Sequence, residues 1–134
     1  MTPLMIDLKE EDITSVAAYY ASLPSIAKPE KSTSPIRYEE GRLIAERGIW
    51  SKNIPACFSC HGPDAIGVGE HFPPLINQGK LYITQEINAW KKGTRKNDPN
   101  MLMKTIALKL SSKEIEAVAE YISSLSPSQT GPMK

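Results

Sequence analysis

Five consecutive residues constrain this chain more than any other feature: Cys57-Phe58-Ser59-Cys60-His61. The two cysteines are the only ones in 134 residues, they are spaced C-x-x-C, and a histidine follows directly. A zinc site needs four ligands, and His71 is the only other histidine to draw on. A thioredoxin-like dithiol sits in a βαβ setting, and no such pattern surrounds this one. Covalent haem attachment needs only what is present. Two thiols add to the two vinyl groups of one porphyrin, and the adjacent imidazole turns onto the iron from the same segment. The spacing therefore predicts one haem c bound through Cys57 and Cys60, with His61 on the iron.

The rest of the chain has to wrap that group, and its patterning is helical. Residues 10–23 place Ile13, Val16, Tyr20 and Leu23 at helical spacing, with acidic residues in the first turn, and Pro24 is a stop. From Pro24 to Pro35 the proline- and serine-rich sequence has no periodicity and reads as an extended linker. A helix near 37–48 offers Leu43, Ile44 and Ile49, with Gly41 in its interior. Glycine costs ~1 kcal/mol there relative to alanine, which points to close packing of another helix. A third helix fits 79–92, with Tyr82, Ile83, Ile87 and Trp90 on one side and Gly93 as its stop. The last fits 111–125, where Ser111 and Glu114 form a capping-box pattern ahead of Ile115, Val118, Ala119, Ile122 and Leu125. No alternating run argues for a sheet, so the expected class is all-α.

An internal repeat links the two ends. Shifted by 102 positions, residues 1–23 fall on 103–125: Met1 on Met103, Leu8 on Leu110, Ile13 on Ile115, Val16 on Val118, Ala17 on Ala119, Tyr19 on Tyr121 and Leu23 on Leu125. Duplication predicts that residues 1–24 are the closing helix of an earlier unit. The haem motif of that unit would lie 45 residues ahead of Met1.

A second iron ligand has to come from elsewhere in the chain, and methionine or histidine is usual. Met101 and Met103 both lie in the segment from Asn97 to Met103, and either is a candidate. His71 is an alternative, but only ten residues separate it from His61, so the chain would have to wrap tightly to the opposite haem face. The formal net charge of +1 gives no global pull toward nucleic acid or an anionic membrane. No apolar run reaches the ~18–20 residues of a membrane span. Met1 to Leu8 lacks the basic and apolar regions of a signal peptide, although haem c chemistry implies export.

From Tyr38 to Leu125 the sequence resembles a class I cytochrome c, and more narrowly the second domain of the periplasmic tandem-domain dihaem cytochromes c. The matching features are Gly41, Ala56-Cys57 to His61-Gly62, Phe72-Pro73-Pro74-Leu75 with Gln78, Asn97-Asp98, Met103, and Ile115 to Tyr121. The resemblance implies His61 as proximal and Met103 as distal ligand, with Met101 a neighbour. It implies that the Pro73 carbonyl accepts the His61 Nδ1 proton, and that Gly41 and Tyr121 mark the crossing of the first and last helices. Met1 would be the axial residue of the preceding domain. The expected organisation is a truncated preceding domain at 1–24, a linker at 25–36, a haem domain at 37–127 and a flexible tail at 128–134.

An iron with both axial positions filled has no site for a reactant, so the expected work is electron transfer between respiratory partners in the periplasm. The alternative is the cytochrome subunit of a multi-chain oxidoreductase. No Ser-His-Asp set, nucleotide loop or carboxylate cluster argues for an enzyme, and His71, Glu39, Glu40 and Glu46 read as solvated surface. Lys91, Lys92, Arg95, Lys96, Lys104 and Lys109 bracket the methionine segment, with Asp98 the single acid among them. That clustering predicts a redox partner with an acidic docking surface.

Overall fold

The computed structural model describes residues 7–23, 29–98 and 100–126. The expectations for Met1, Pro24, the first part of the linker and the tail from 128 lie outside the described residues. Six α-helices are present among them: α1 Glu10–Ser22, α2 Pro35–Arg47, α3 Cys57–His61, α4 Lys80–Lys92, α5 Leu102–Lys109 and α6 Ser112–Ser123. Two 3₁₀ turns, Trp50–Lys52 and Pro63–Ala65, and two isolated bridges complete the secondary structure. The class is all-α.

The core forms where α2 crosses α6. Ser111 caps α6 by accepting from the Glu114 amide at 3.3 Å, while its own amide donates to the Glu114 carboxylate at 2.7 Å. This fixes the start of the helix and so the phase of its stripe. Ile115, Val118, Ala119, Tyr121 and Ile122 are all buried, against Ile44 and Ala45 of α2 and Ile83 and Ile87 of α4. Gly41 lies where the two backbones meet. A Cβ there would stand 1.9 Å from the Ala117 carbonyl oxygen, so only glycine permits the crossing. Tyr121 stacks edge-on against Tyr38 at 5.2 Å between ring centres and donates its hydroxyl to Glu46 at 2.9 Å. Burial, then the adjacent carboxylate, pushes the phenol well above its ordinary range.

Two boundaries differ from the sequence expectation. Helix α2 begins at Pro35, because Ser34 caps it from outside and proline is suited to the first helical position, where no amide hydrogen is needed. The prolines of that segment had read only as breakers. Helix α5 is an added element ahead of the last helix, and Met103 lies within it. Its eight residues are too few to show a period, and Leu110, in extended conformation, separates it from α6. The Asp98 carboxylate holds its start, accepting from the amides of Leu102 at 3.1 Å and Lys104 at 2.9 Å.

Helix α1 has no buried residue, and Val16, Tyr19, Tyr20 and Leu23 are exposed. Their repeat counterparts Val118 and Tyr121 are core residues and Leu125 packs against the core.

Segment 30–34 lies on the helical core instead of standing free. The Glu30 amide donates to the Ser123 carbonyl at 2.8 Å, and the buried Glu120 carboxylate accepts from the Thr33 amide at 2.5 Å and the Ser32 hydroxyl at 2.9 Å. Lys80, whose own amide donates to Glu30, completes this set with an ion pair to Glu120. The Lys80 ammonium, opposed by burial and helped by the Thr33 and Ser32 donors, holds Glu120 down at about 2 against an ordinary 4.5. A folded-state value below the unfolded one contributes stability that is full above the unfolded value and is lost as pH falls through the folded one. Amide exchange at Thr33 should therefore quicken, relative to its intrinsic rate, between about pH 4.5 and 2. Lys80 and Glu30 are the charged neighbours from the packed elements, and Glu30→Gln is the control for the second carboxylate.

Candidate haem attachment site

Helix α3 is one short turn of five residues, opened by Ala56 in extended conformation and closed by Gly62 at φ 78°. Helical spacing puts Cys57, Cys60 and His61 on neighbouring positions of this turn, so both sulfurs and the imidazole come from one rigid segment. His61 is 7% exposed. Its Nδ1 stands 2.8 Å from the Pro73 carbonyl oxygen. With Nδ1 as donor, Nε2 carries the lone pair that can face a metal.

The loop from Gly62 to Ile76 brings Pro73 back to the histidine. Gly67 donates its amide to the His61 carbonyl at 2.7 Å, Val68 and Phe72 bridge, and Leu75 donates to Ala65 at 2.8 Å. Gly67, at φ 87°, is held so tightly that a Cβ would stand 2.8 Å from the Pro74 nitrogen. The Phe72 ring lies edge-on to His61 at 6.3 Å between centres.

The residues present fit a haem c and not the rival chemistries. Burial pushes the Cys57 thiol up to about 11, the reverse of the lowered value of a reactive dithiol. Among the described residues no group of three or more His, Cys, Asp or Glu is placed to hold a metal ion. Two buried side-chain atoms, Trp90 Nε1 and Asn77 Oδ1, have no partner among the described residues. An unsatisfied buried donor is costly, and a porphyrin with its carboxylates supplies a class of acceptor that the indole lacks here. Sequence reading had placed Trp90 only on an apolar stripe, and nothing in the local sequence distinguishes a donor with a partner from one without.

The methionines separate by position. Met101 is 58% exposed, at φ 52° just outside α5, whereas Met103 is partly buried in the first turn of α5. His71 has an 82% exposed side chain beside Glu70, which leaves little support for it as an iron ligand. Glu46, expected to be solvated surface, is engaged by Tyr121 and Arg42. The basic cluster is partly committed. Lys91 donates to the Leu110 carbonyl, Lys109 donates to the Asn53 carbonyl at 3.0 Å, and Arg95 pairs with Glu86 while lying 3.9 Å over the Trp90 ring. Glu86 is thus a second acid in the region, contributed by α4 from outside the span that the sequence reading counted. The side chains of Lys92, Lys96 and Lys104 have no hydrogen-bond or ion-pair partner among the described residues.

A helical fold closed by the α2–α6 crossing around a C-x-x-C-H turn defines a c-type cytochrome. The Cytochrome c family profile matches residues 47–126, and the chain belongs to that family, with covalent haem c as its cofactor. The chain is 42% identical over 131 residues to the thiosulfate dehydrogenase electron acceptor of Stutzerimonas stutzeri, covering 98% of this chain and 61% of that protein. Among solved structures it superposes on reduced recombinant cytochrome c4 from Pseudomonas stutzeri with a TM-score of 0.83 and 32% identity, over 94% of this chain and 66% of that one. It superposes equally well, at 0.83 and 36% identity, on a thiosulfate dehydrogenase from Marichromatium purpuratum, over 94% of this chain and 27% of that one. The chain spans about three fifths of the length of the curated relatives it matches first. Among the described residues no helix is long and apolar enough to cross a membrane.

Proposed function

We propose that this chain is the C-terminal haem-bearing part of a periplasmic electron carrier, which exchanges single electrons with protein partners and performs no substrate chemistry itself. The observation that carries this reading is His61, buried on the C-x-x-C-H turn and oriented by the Pro73 carbonyl. Haem c, once attached, supplies an iron that takes up and gives back one electron. The chain's own part is to hold that group in a fixed, largely dry setting. Pro73 fixes the imidazole, the α2–α6 crossing fixes the turn that carries it, and Met103 is the proposed second ligand. With both axial positions filled no site is left for a reactant. In this reading residues 1–24 are the closing helix of a preceding cytochrome unit, supported by the contrast between exposed Val16 and Tyr19 and their buried counterparts in α6.

The test is to mature the chain with haem in an exported form. The expected result is a haem that stays attached on denaturation and a potentiometric titration that follows one electron with a single midpoint. Haem released by acidified solvent would refute the assignment.

A second form of the reading is favoured by the likeness to thiosulfate dehydrogenase and its electron acceptor. There the chain would receive electrons from a catalytic centre on another subunit, and stable copurification with a dehydrogenase distinguishes it from a diffusible carrier.

Lys92, Lys96 and Lys104 are proposed to steer an acidic partner surface. Steered association weakens steeply with salt, since screening acts within ~8–10 Å at moderate ionic strength. Reduction of the partner should slow as ionic strength rises, and a Lys96→Glu, Lys104→Glu variant should slow it at low salt by roughly tenfold. A rate independent of salt would count against steering.

A further inference from the structure

We propose that Glu120 anchors a strap, residues 30–34, that belongs structurally to the haem unit and shortens the tether between that unit and α1. The anchoring itself does not depend on the electron-transfer reading, and the tether it shortens rests on the proposal that α1 belongs to a preceding unit. Glu120 is 3% exposed on the core-forming helix α6, an unusual place for a carboxylate unless its oxygens are satisfied. They are satisfied mainly from the strap. One oxygen accepts from the Thr33 amide at 2.5 Å, the Ser32 hydroxyl at 2.9 Å and the Thr33 hydroxyl at 3.1 Å, and the other faces the Lys80 ammonium.

Lys80 works at both ends of the strap. Its side chain pairs with Glu120, and its backbone amide donates to the Glu30 carboxylate at 3.0 Å. The strap is fixed at its start by the Glu30 amide on the Ser123 carbonyl and at its end by Ser34, which caps α2. Four of its five residues thus contact α6, or the first turns of α4 or α2.

The consequence is geometric. If 24–34 were all free, the chain from Leu23 to Pro35 would span up to about 40 Å. With the strap held, only the chain from Leu23 to Glu30 counts toward the reach, whose upper bound falls to about 25 Å. A shorter tether raises the effective concentration of whatever unit α1 belongs to beside this haem unit.

The experiment uses the full haem-loaded chain, with trypsin cleavage after Lys31 and amide exchange of the 29–35 segment as readouts. Two variants are compared: Glu120→Gln, which keeps an acceptor but cannot pair with Lys80, and Ser32→Ala with Thr33→Ala, which removes donors from the exposed strap without touching the core. The expected result is slow cleavage in the native chain and cleavage faster by about tenfold or more in both variants, since local opening sets the rate. Amide protection in α6 and the haem spectrum should be unchanged in the double variant. If Lys31 is cut as fast in the native chain as in the double variant, or if the Thr33 amide exchanges at its unstructured rate, the strap is not anchored. If Glu120→Gln also loses α6 protection, the double variant alone decides the outcome on the same criterion.

Discussion

Gly41→Ala is expected to destabilise the haem-loaded chain by about 3 kcal/mol or more, at the upper end of overpacking costs. The added Cβ would stand 1.9 Å from the Ala117 carbonyl oxygen, 2.5 Å from its carbon and 2.9 Å from the Tyr121 Cβ. Two of these three atoms are backbone of α6, so no rotamer change relieves the clash, and the helices have to move apart. Separation would disturb the edge-on contact of Tyr38 with Tyr121, the Tyr121 hydrogen bond to Glu46, and the approach of Phe58, from the haem-attachment turn, to Tyr121. For a domain of this size the loss corresponds to a fall of roughly 15 °C in the thermal midpoint. Gly69→Ala is the control. Unlike the helical Gly41 it has a positive φ, of 56°, but a Cβ there meets nothing within 4 Å, so only backbone strain of about 1 kcal/mol is added. Equal midpoints for the two variants would show that the close crossing is not what requires glycine at 41.

How much of this was legible in the sequence follows from the range of each signal. The C-x-x-C-H turn, the Ser111–Glu114 capping box, Gly93 as the stop of α4 and the glycine inside α2 are local patterns whose physical requirement is written within a few residues, and the structure has an element at each. The helices pair as the glycine suggested, because a costly residue in a helix interior needs a compensating contact.

What escaped depends on partners far along the chain. The strap reads as an unstructured linker because Ser32 and Thr33 have no local period, and their acceptor is 88 and 87 residues away. Helix α5 escaped because eight residues bounded by a left-handed Met101 and an extended Leu110 show no usable period. The basic cluster was visible as composition, but that Lys91, Arg95 and Lys109 are engaged by the protein's own groups is a tertiary fact. The Pro73 contact came from the family resemblance alone, since nothing in residues 62–76 by itself says that the loop returns to His61.

The choice between the two methionines is where sequence and structure bear on one question. Replacing Met103 by leucine is expected to abolish the weak oxidised band near ~695 nm that reports sulfur on the iron, and to lower the midpoint potential by a sizeable part of the ~0.8 V over which axial ligands move haem potentials. Met101→Leu should leave both unchanged. The repeat pairs Met1 with Met103, and the family resemblance assigns the same residue. The structure adds an argument of position. Met103 is on α5, whose Ala107 is buried one turn further along, so that helix face is turned into the protein. Met101 stands outside the helix and is more than half exposed. Asp98 holds the first turn of α5 by two amides, one of them that of Lys104, the residue next to Met103. Asp98→Ala should therefore weaken the same band without removing it, because the sulfur remains while its helix frays. Leucine nearly conserves the volume of methionine, so the loss can be read as loss of a ligand rather than of packing. If the band survives Met103→Leu and vanishes in Met101→Leu, the helix in solution is shifted from the one described. If it is missing from the native chain, His/Met ligation fails, and a chain with an open iron position would have to be considered for reactions that electron carriers do not perform.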